Sequence, residues 1–138
     1  MFYAFLLYND YAPLLIRLIL GIAFMVHGYP KLFKRENRQM LFGWLETIGF
    51  KPGKAWGLWL GTLEFFGGIA LITGFYVQLV GFLLAIDMLV ALWKVKWGKS
   101  AFTGQGGWEL ELTYCVMALS LVLSSAGAWS IDRYFFNF

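Results

Sequence analysis

The sequence predicts an all-α membrane protein: a four-helix transmembrane bundle with a short amphipathic helix in the membrane interface between the first and second spanning helices. Of the 138 residues, 60% are hydrophobic and 14% are charged. That is too little charge for the surface of a soluble domain of this length. Four apolar stretches each approach the ~20 residues that a spanning helix needs. We therefore expect a single transmembrane domain over residues 1–138.

The spanning helices follow from these four stretches. We place them at about residues 13–33, 55–73, 76–93 and 112–129. Pro13 suits the first turn of a helix, where its missing N–H costs nothing. Only Gly74 and Phe75 separate the second and third stretches. Because so short a turn reverses the chain, these two helices should be antiparallel neighbours.

The segment between the first two spanning helices contains an amphipathic pattern. Over residues 37–48 the apolar side chains recur at helical spacing, on one face: Met40, Leu41, Trp44, Leu45 and Ile48. A helix of this length is too short to cross the bilayer and is expected to lie in the interface.

The basic residues predict the orientation. Two loops on one side of the bundle contain nine lysines and arginines: Lys31, Lys34, Arg35, Arg38, Lys51, Lys54, Lys94, Lys96 and Lys99. The other side has Arg17 and Arg133. The positive-inside rule then predicts a multi-pass protein of the cell membrane with both termini outside. A net charge of +3, confined to loops, suits lipid headgroups and does not indicate nucleic acid.

Few residues could ligate a metal. Cys115 is the single cysteine and His27 the single histidine. One chain therefore cannot form a disulfide, a dithiol centre or a bis-histidine haem site. One cysteine and one histidine are also too few ligands for a zinc or iron–sulfur site. We expect no haem, zinc or iron–sulfur cluster.

Four ionisable residues lie inside the predicted spanning helices: Arg17, His27, Glu64 and Asp87. An ionised side chain at a helix centre costs roughly 2.5–3.5 kcal/mol to insert. Such residues usually line a pathway or fasten helices together. Arg17 and Lys31 could instead extend to opposite headgroups, and Glu64 could be a structural carboxyl group that fixes helix register.

Two glycine stripes suggest where these residues meet. Gly21 and Gly28 share a face of the first helix with Arg17 and Lys31, and the second helix has a glycine stripe beside Glu64. Small residues let helices approach closely. We predict that Glu64 pairs with Arg17 or His27. Asp87 needs a partner on another helix.

The entry to the last helix adds two acids. Glu109 and Glu111 lie in its first turn, where the helix dipole favours negative charge and accounts for one of them. Five tryptophans should surround the cytoplasmic end of the bundle: Trp56, Trp59, Trp93, Trp97 and Trp108. They are typical of interface anchors, but they would also suit a flat ring such as a quinone.

These residues together resemble the DoxX family of small membrane proteins. The first helix is similar to its R-x-x-x-G…HG-x-x-K-x-F signature, at Arg17, Gly21, His27, Gly28 and Lys31. Further motifs match at Trp44 and Gly49; at Glu64, Gly67, Gly68, Leu71 and Gly74; at Gly106, Gly107, Glu109 and Leu110; and at Gly127, Ser130 and Asp132. The resemblance implies a four-helix membrane protein, often a component of an oxidoreductase such as a thiosulfate:quinone oxidoreductase. The DoxA-type partner subunit of that enzyme is not part of this chain, so the resemblance does not imply that thiosulfate is the substrate.

Our first hypothesis is a membrane oxidoreductase subunit that interacts with a quinone and with a soluble redox enzyme on the cytoplasmic side. His27 and Glu64 would be catalytic and would handle protons. The cofactor-binding residues would be Arg17, Lys31, Asp87 and Glu109. The alternatives are a non-catalytic scaffold that docks a soluble enzyme, and a transporter of protons or small molecules. The protein could work as a homo- or hetero-oligomer in the lipid bilayer.

Overall fold

The computed structural model describes residues 11–101 and 106–136, and this part of the chain is helical without any strand. Its helices are α1 (Tyr11–Phe33), α2 (Arg35–Thr47), α3 (Gly53–Thr73), α4 (Val77–Ala91), α5 (Glu109–Ser124) and α6 (Ile131–Phe136). A π-helical turn, Leu92–Lys96, continues α4. The predicted all-α class is confirmed.

Within residues 11–101 and 106–136, three helices are long and apolar enough to cross a membrane. They are Tyr11–Phe33, Gly53–Thr73 and Val77–Lys96, with 23, 21 and 20 residues. In contrast, α5 has 16 residues. At about 1.5 Å per residue it extends roughly 24 Å, less than the ~30 Å hydrocarbon core.

The expected boundaries of the last long helix, 112–129, differ from those of α5. The helix begins earlier, at Glu109, and ends at Ser124. The chain leaves the helix at Ser125, whose φ of 62° lies in the left-handed region. The backbone beyond it supplies carbonyl groups to Arg17 instead of continuing the helix.

The short helix between the first two long ones is present as α2. It packs against both α1 and α3. Leu45 is its buried residue, whereas Met40 on the predicted apolar face is exposed. Its position in the membrane interface stays a prediction.

Glycines bring α1 and α3 into close contact. A Cβ atom on Gly21 would lie 2.7 Å from the carbonyl oxygen of Gly68. A Cβ atom on Gly28 would lie 2.5 Å from the backbone nitrogen of Phe65. Both distances are too short for real side chains, so only glycine permits this approach, as in other membrane helix pairs. The contacts run antiparallel and place the end of α1 beside the middle of α3.

The second packed pair is α4 on α5. Its buried core includes Leu84, Ala85, Ala118 and Leu121. Between α3 and α4 the chain reverses at Gly74, which has a φ of 76°. This is the short turn that the sequence predicts.

Candidate functional site

A cavity of about 500 Å³ lies among the first five helices. Much of its wall is apolar or aromatic, from Phe24 on α1, Leu41 and Trp44 on α2, Trp59 on α3 and Met88 on α4. Its polar lining residues are His27, Lys31, Glu64, Asp87, Lys94, Lys96, Glu111 and Tyr114. Four of the six predicted site residues therefore meet at one cavity.

The centre of this polar lining is the Lys31 cluster, which comprises Lys31, Glu64 and Asp87. Lys31 Nζ donates a hydrogen bond to Glu64 Oε1 at 2.5 Å. Glu64 is 3% exposed, while the lysine side chain is 28% exposed. Asp87 on α4 lies close enough to interact electrostatically with both. One cation thus faces two carboxyl groups in a largely apolar surrounding.

The predicted pairing of Glu64 with Arg17 or His27 is wrong, because Lys31 is its partner. The reason is the register of α1 on α3. Since Gly28 contacts Phe65, the last turn of α1 lies beside Glu64. Lys31 projects from that turn, whereas Arg17 lies almost four turns earlier.

Both carboxyl groups of the cluster keep an oxygen without a hydrogen-bond partner. Among the described residues, Glu64 Oε2 and Asp87 Oδ2 are buried and accept no hydrogen bond. Buried polar atoms are rarely left unpaired, because an unmet acceptor costs about 1–3 kcal/mol. The cluster therefore retains capacity for a ligand or a proton.

A second ion pair lies in the same lining. Lys96 Nζ, on the π-helical turn, is 3.3 Å from Glu111 Oε1 and donates to the carbonyl oxygen of Gly106 at 3.1 Å. Glu111 Oε2 is another buried oxygen that accepts no hydrogen bond within residues 11–101 and 106–136. π-Helical turns are frequent at functional sites, and this one brings Lys96 to the cavity.

The structure distinguishes the two acids of α5. Glu111 lines the cavity, whereas Glu109 is exposed and outside the lining. The sequence prediction named Glu109 and missed Glu111. Helical spacing contains the missing signal: Glu111 shares a face with the buried Ala118, and Glu109 shares one with the exposed Val116.

His27 lies on the cavity wall and is exposed. Its ring stands edge-on to the ring of Tyr114, with 6.0 Å between the ring centroids. Tyr114 was not among the predicted site residues. It also contacts Phe24, so this tyrosine connects the histidine to the packed interior of the bundle.

Arg17 lies outside the cavity lining, near the opposite end of α1. It is fully buried. Its Nη1 donates to the carbonyl oxygen of Ala126 at 2.7 Å, and its Nη2 to that of Trp129 at 2.6 Å. These bonds connect α1 to the segment after α5, so the contacts of Arg17 hold two parts of the chain together.

Asp132, the last residue of the family-like motifs, lies near this arginine and interacts with it electrostatically. Its two carboxylate oxygens accept hydrogen bonds from the backbone N–H groups of Tyr76 and Val77, at 2.6 and 2.8 Å. It therefore caps the N-terminus of α4 from a distant part of the chain. Arg17, Asp132 and the carbonyl groups of Ala126 and Trp129 form the Arg17 cluster.

Comparison with known proteins identifies a family and two relatives. The family model DoxX matches residues 12–97. A Bacillus subtilis (strain 168) protein with the name "Putative oxidoreductase CatD" is 29% identical over 128 residues, which cover 93% of this chain and 90% of the relative. An uncharacterized protein of Haemophilus influenzae (strain ATCC 51907 / DSM 11121 / KW20 / Rd) is 30% identical over 133 residues, which cover 94% and 95%. No solved structure is a significant match. The chain belongs to the DoxX family.

Proposed function

We propose that this protein is a membrane oxidoreductase subunit that binds a quinone or a similar lipophilic redox molecule in the cavity between its helices. One observation carries the proposal: an apolar, aromatic cavity contains a partly buried ion pair, and buried carboxylate oxygens of Glu64 and Asp87 there lack a hydrogen-bond partner. Its volume of about 500 Å³ falls in the range of small-molecule sites. The printed name of the Bacillus relative supports the reaction class.

The chemistry follows from the residues in the lining. Reduction of a quinone to a hydroquinone consumes two electrons and two protons. A soluble redox enzyme on the cytoplasmic side would supply the electrons. Glu64 and His27 would each take up a proton from the cytoplasmic side and pass it to a ring oxygen, and the Lys31 ammonium would stabilise the negative charge that develops on that oxygen. Asp87 would bind the other polar group of the ring.

In the membrane, we propose that four segments cross the bilayer. The fourth crossing would combine α5 with the aromatic segment behind it, including Trp129. Lys31, Lys94 and Lys96 all line the cavity described above. We therefore place this end of the bundle at the cytoplasmic face, with both termini outside.

Cysteine labelling in whole cells tests this orientation. In a Cys115→Ala background, Lys99→Cys should react with a membrane-impermeant maleimide only after permeabilisation. Arg133→Cys should react in intact cells. The reverse pattern would contradict the proposed orientation.

Ligand binding tests the function itself. The protein purified in detergent should retain a quinone, detectable by mass spectrometry of an organic extract, and should bind decyl-ubiquinone in calorimetric titrations. Lys31→Met should weaken binding. Glu36→Gln, an exposed change outside the cavity, should not. A protein that neither retains nor binds quinone would contradict the proposal.

The second candidate function is a non-catalytic scaffold that docks a soluble enzyme. The observation in its favour is a set of exposed basic residues on the cavity side: Lys34, Arg35, Lys51, Lys54, Lys94 and Lys99. Exchange of these residues for glutamine should then release the enzyme. Changes in the Lys31 cluster should alter stability but not electron transfer.

A further inference from the structure

The buried side-chain atoms of the cavity lining that lack a hydrogen-bond partner share one chemical character, because all of them are acceptors. Within the described part of the chain they are Glu64 Oε2, Asp87 Oδ2 and Glu111 Oε2. The two ammonium groups beside them already donate to protein oxygens: Lys31 to Glu64, and Lys96 to Gly106. A ligand that reaches these buried oxygens should bring hydrogen-bond donors.

The two redox forms of a quinone differ in this property. The oxidised ring has two carbonyl oxygens, which only accept hydrogen bonds. The reduced ring has two hydroxyl groups, which donate. We propose that the cavity binds the hydroquinone form more tightly than the quinone, with ring hydroxyls donating to Glu64 Oε2 and Asp87 Oδ2. This inference rests on the proposed function and specifies its preferred redox state.

The burial of Glu64 strengthens the inference. With 3% of the residue exposed, bulk water has little access to its second oxygen. A hydroxyl group would satisfy that oxygen through a charge-assisted hydrogen bond, which is stronger than a neutral one. A quinone carbonyl placed there would add an acceptor to a carboxylate oxygen that already lacks a donor.

The preference has a redox consequence. A site that binds the reduced form more tightly raises the midpoint potential of the bound couple. A tenfold preference corresponds to about 30 mV for a two-electron couple. Binding in this cavity would thus favour transfer of two electrons and two protons onto the quinone, with the electrons coming from the soluble redox enzyme.

A proton shared between Glu64 and Asp87 is the competing account. One carboxyl group would then donate to the other, and each would satisfy its neighbour. The cluster would offer no free acceptor to a ring hydroxyl. In that case the cavity would bind the two redox forms equally well.

Three ligands with matched rings and tails separate these accounts. Decyl-ubiquinol under argon, decyl-ubiquinone and the dimethyl ether of decyl-ubiquinol are titrated calorimetrically into the full-length protein in detergent. We expect the Kd of the hydroquinone to be lower than that of either other ligand by a factor of about ten or more. This is the effect of a single good hydrogen bond to a charged group.

Variants of the two carboxyl residues test which side chains cause the preference for hydroquinone. Glu64→Gln and Asp87→Asn should each reduce it to about threefold or less, because an amide replaces one carboxylate acceptor with a donor. Glu36→Gln should leave it unchanged. Asp87→Asn keeps the Lys31–Glu64 ion pair, so it remains informative if Glu64→Gln does not fold. The wild-type comparison needs no variant.

The outcomes separate the two proposals. Quinone binding as tight as hydroquinone binding, or tighter, would overturn the inference and leave the proposed function standing. The inference is overturned in the same way if Asp87→Asn and Glu64→Gln both fold and keep the full preference. Failure of the quinone and the hydroquinone to bind would contradict the proposed function itself.

Discussion

The Arg17 cluster and the Lys31 cluster both place charge inside apolar helices, but they use it differently. Two guanidinium nitrogens of Arg17 donate to backbone carbonyl groups, and both oxygens of Asp132 accept from backbone N–H groups. In the Lys31 cluster, Glu64 and Asp87 each keep a buried oxygen unmet beside a cavity of about 500 Å³, whereas the buried unmet atom of Arg17, its Nε, lies outside that cavity. The first cluster fastens chain segments, and the second retains capacity to bind.

The family-like motifs include residues of both clusters, so a motif match alone does not separate the two roles. What separates them is the partner. Backbone groups are fixed, so a charge paired with them stabilises one arrangement of the chain. A carboxylate oxygen without a hydrogen-bond partner at a cavity can accept a hydrogen bond from a ligand that binds and dissociates.

The largest expected effect comes from breaking the Arg17 cluster. Arg17→Met removes two hydrogen bonds to a charged group, each worth about 1.5–3 kcal/mol, and should lower the free energy of unfolding by roughly 3–6 kcal/mol. Most of the protein should then fail to elute as a folded species in detergent size-exclusion chromatography. Arg17→Lys should recover little, since one ammonium cannot reproduce the fork of the guanidinium group. A stable Arg17→Met protein with impaired ligand binding would reverse the roles assigned to the two clusters.

Removal of the Glu64 carboxylate should act mainly on binding. Glu64→Gln should weaken hydroquinone binding by roughly 10- to 100-fold, as expected for loss of a charged hydrogen-bond acceptor. Some stability should be lost as well, because Lys31 loses its partner.

A double variant separates these two effects. Lys31→Met combined with Glu64→Gln removes both charges and should recover stability, since replacing a buried ion pair as a whole is often neutral. Calorimetric titration should still show weak binding. Recovery of tight binding in the double variant would argue against a ligand role for the pair.

Much of this comparison could be predicted from the sequence, but the pairing could not. The cost of burying charge identified Arg17, His27, Glu64 and Asp87 as residues that need an explanation. The identity of each partner depends on helix register, which the contact of Gly28 with Phe65 sets. No spacing within one helix contains that information.

The end of α5 was unpredictable for a related reason. Its apolar pattern continues past Ser124, but the chain leaves the helix there and presents the carbonyl groups of Ala126 and Trp129 to Arg17. Hydrogen bonding to Arg17 thus competes with continuation of the helix, and Arg17 lies more than a hundred positions away in the sequence. Hydropathy along the chain does not register it.

The helix register itself can be tested through Gly28. Gly28→Ala places a Cβ atom 2.5 Å from the backbone nitrogen of Phe65, and overpacking of this kind costs about 1–3 kcal/mol. Separation of α1 from α3 should also weaken the Lys31–Glu64 contact and ligand binding. Gly43→Ala is the matched control, because nothing lies within 4 Å of its Cβ position. Equal stability of the two variants in thermal unfolding would contradict the close glycine contact.

The smallest effect is expected at the second ion pair of the cavity. Glu111→Gln should weaken hydroquinone binding by about threefold, because we expect the ring hydroxyls to donate to Glu64 and Asp87, whereas the Lys96–Glu111 pair only lines the same cavity. Glu109→Gln, two residues away on the exposed face, should change the Kd by less than the error of the titration. The comparison tests contact with the cavity, because Glu111 lines it and Glu109 does not. A larger effect at Glu109 than at Glu111 would mean that ligand reaches the protein outside this cavity, and the Lys31 cluster would then be a second structural cluster like that of Arg17.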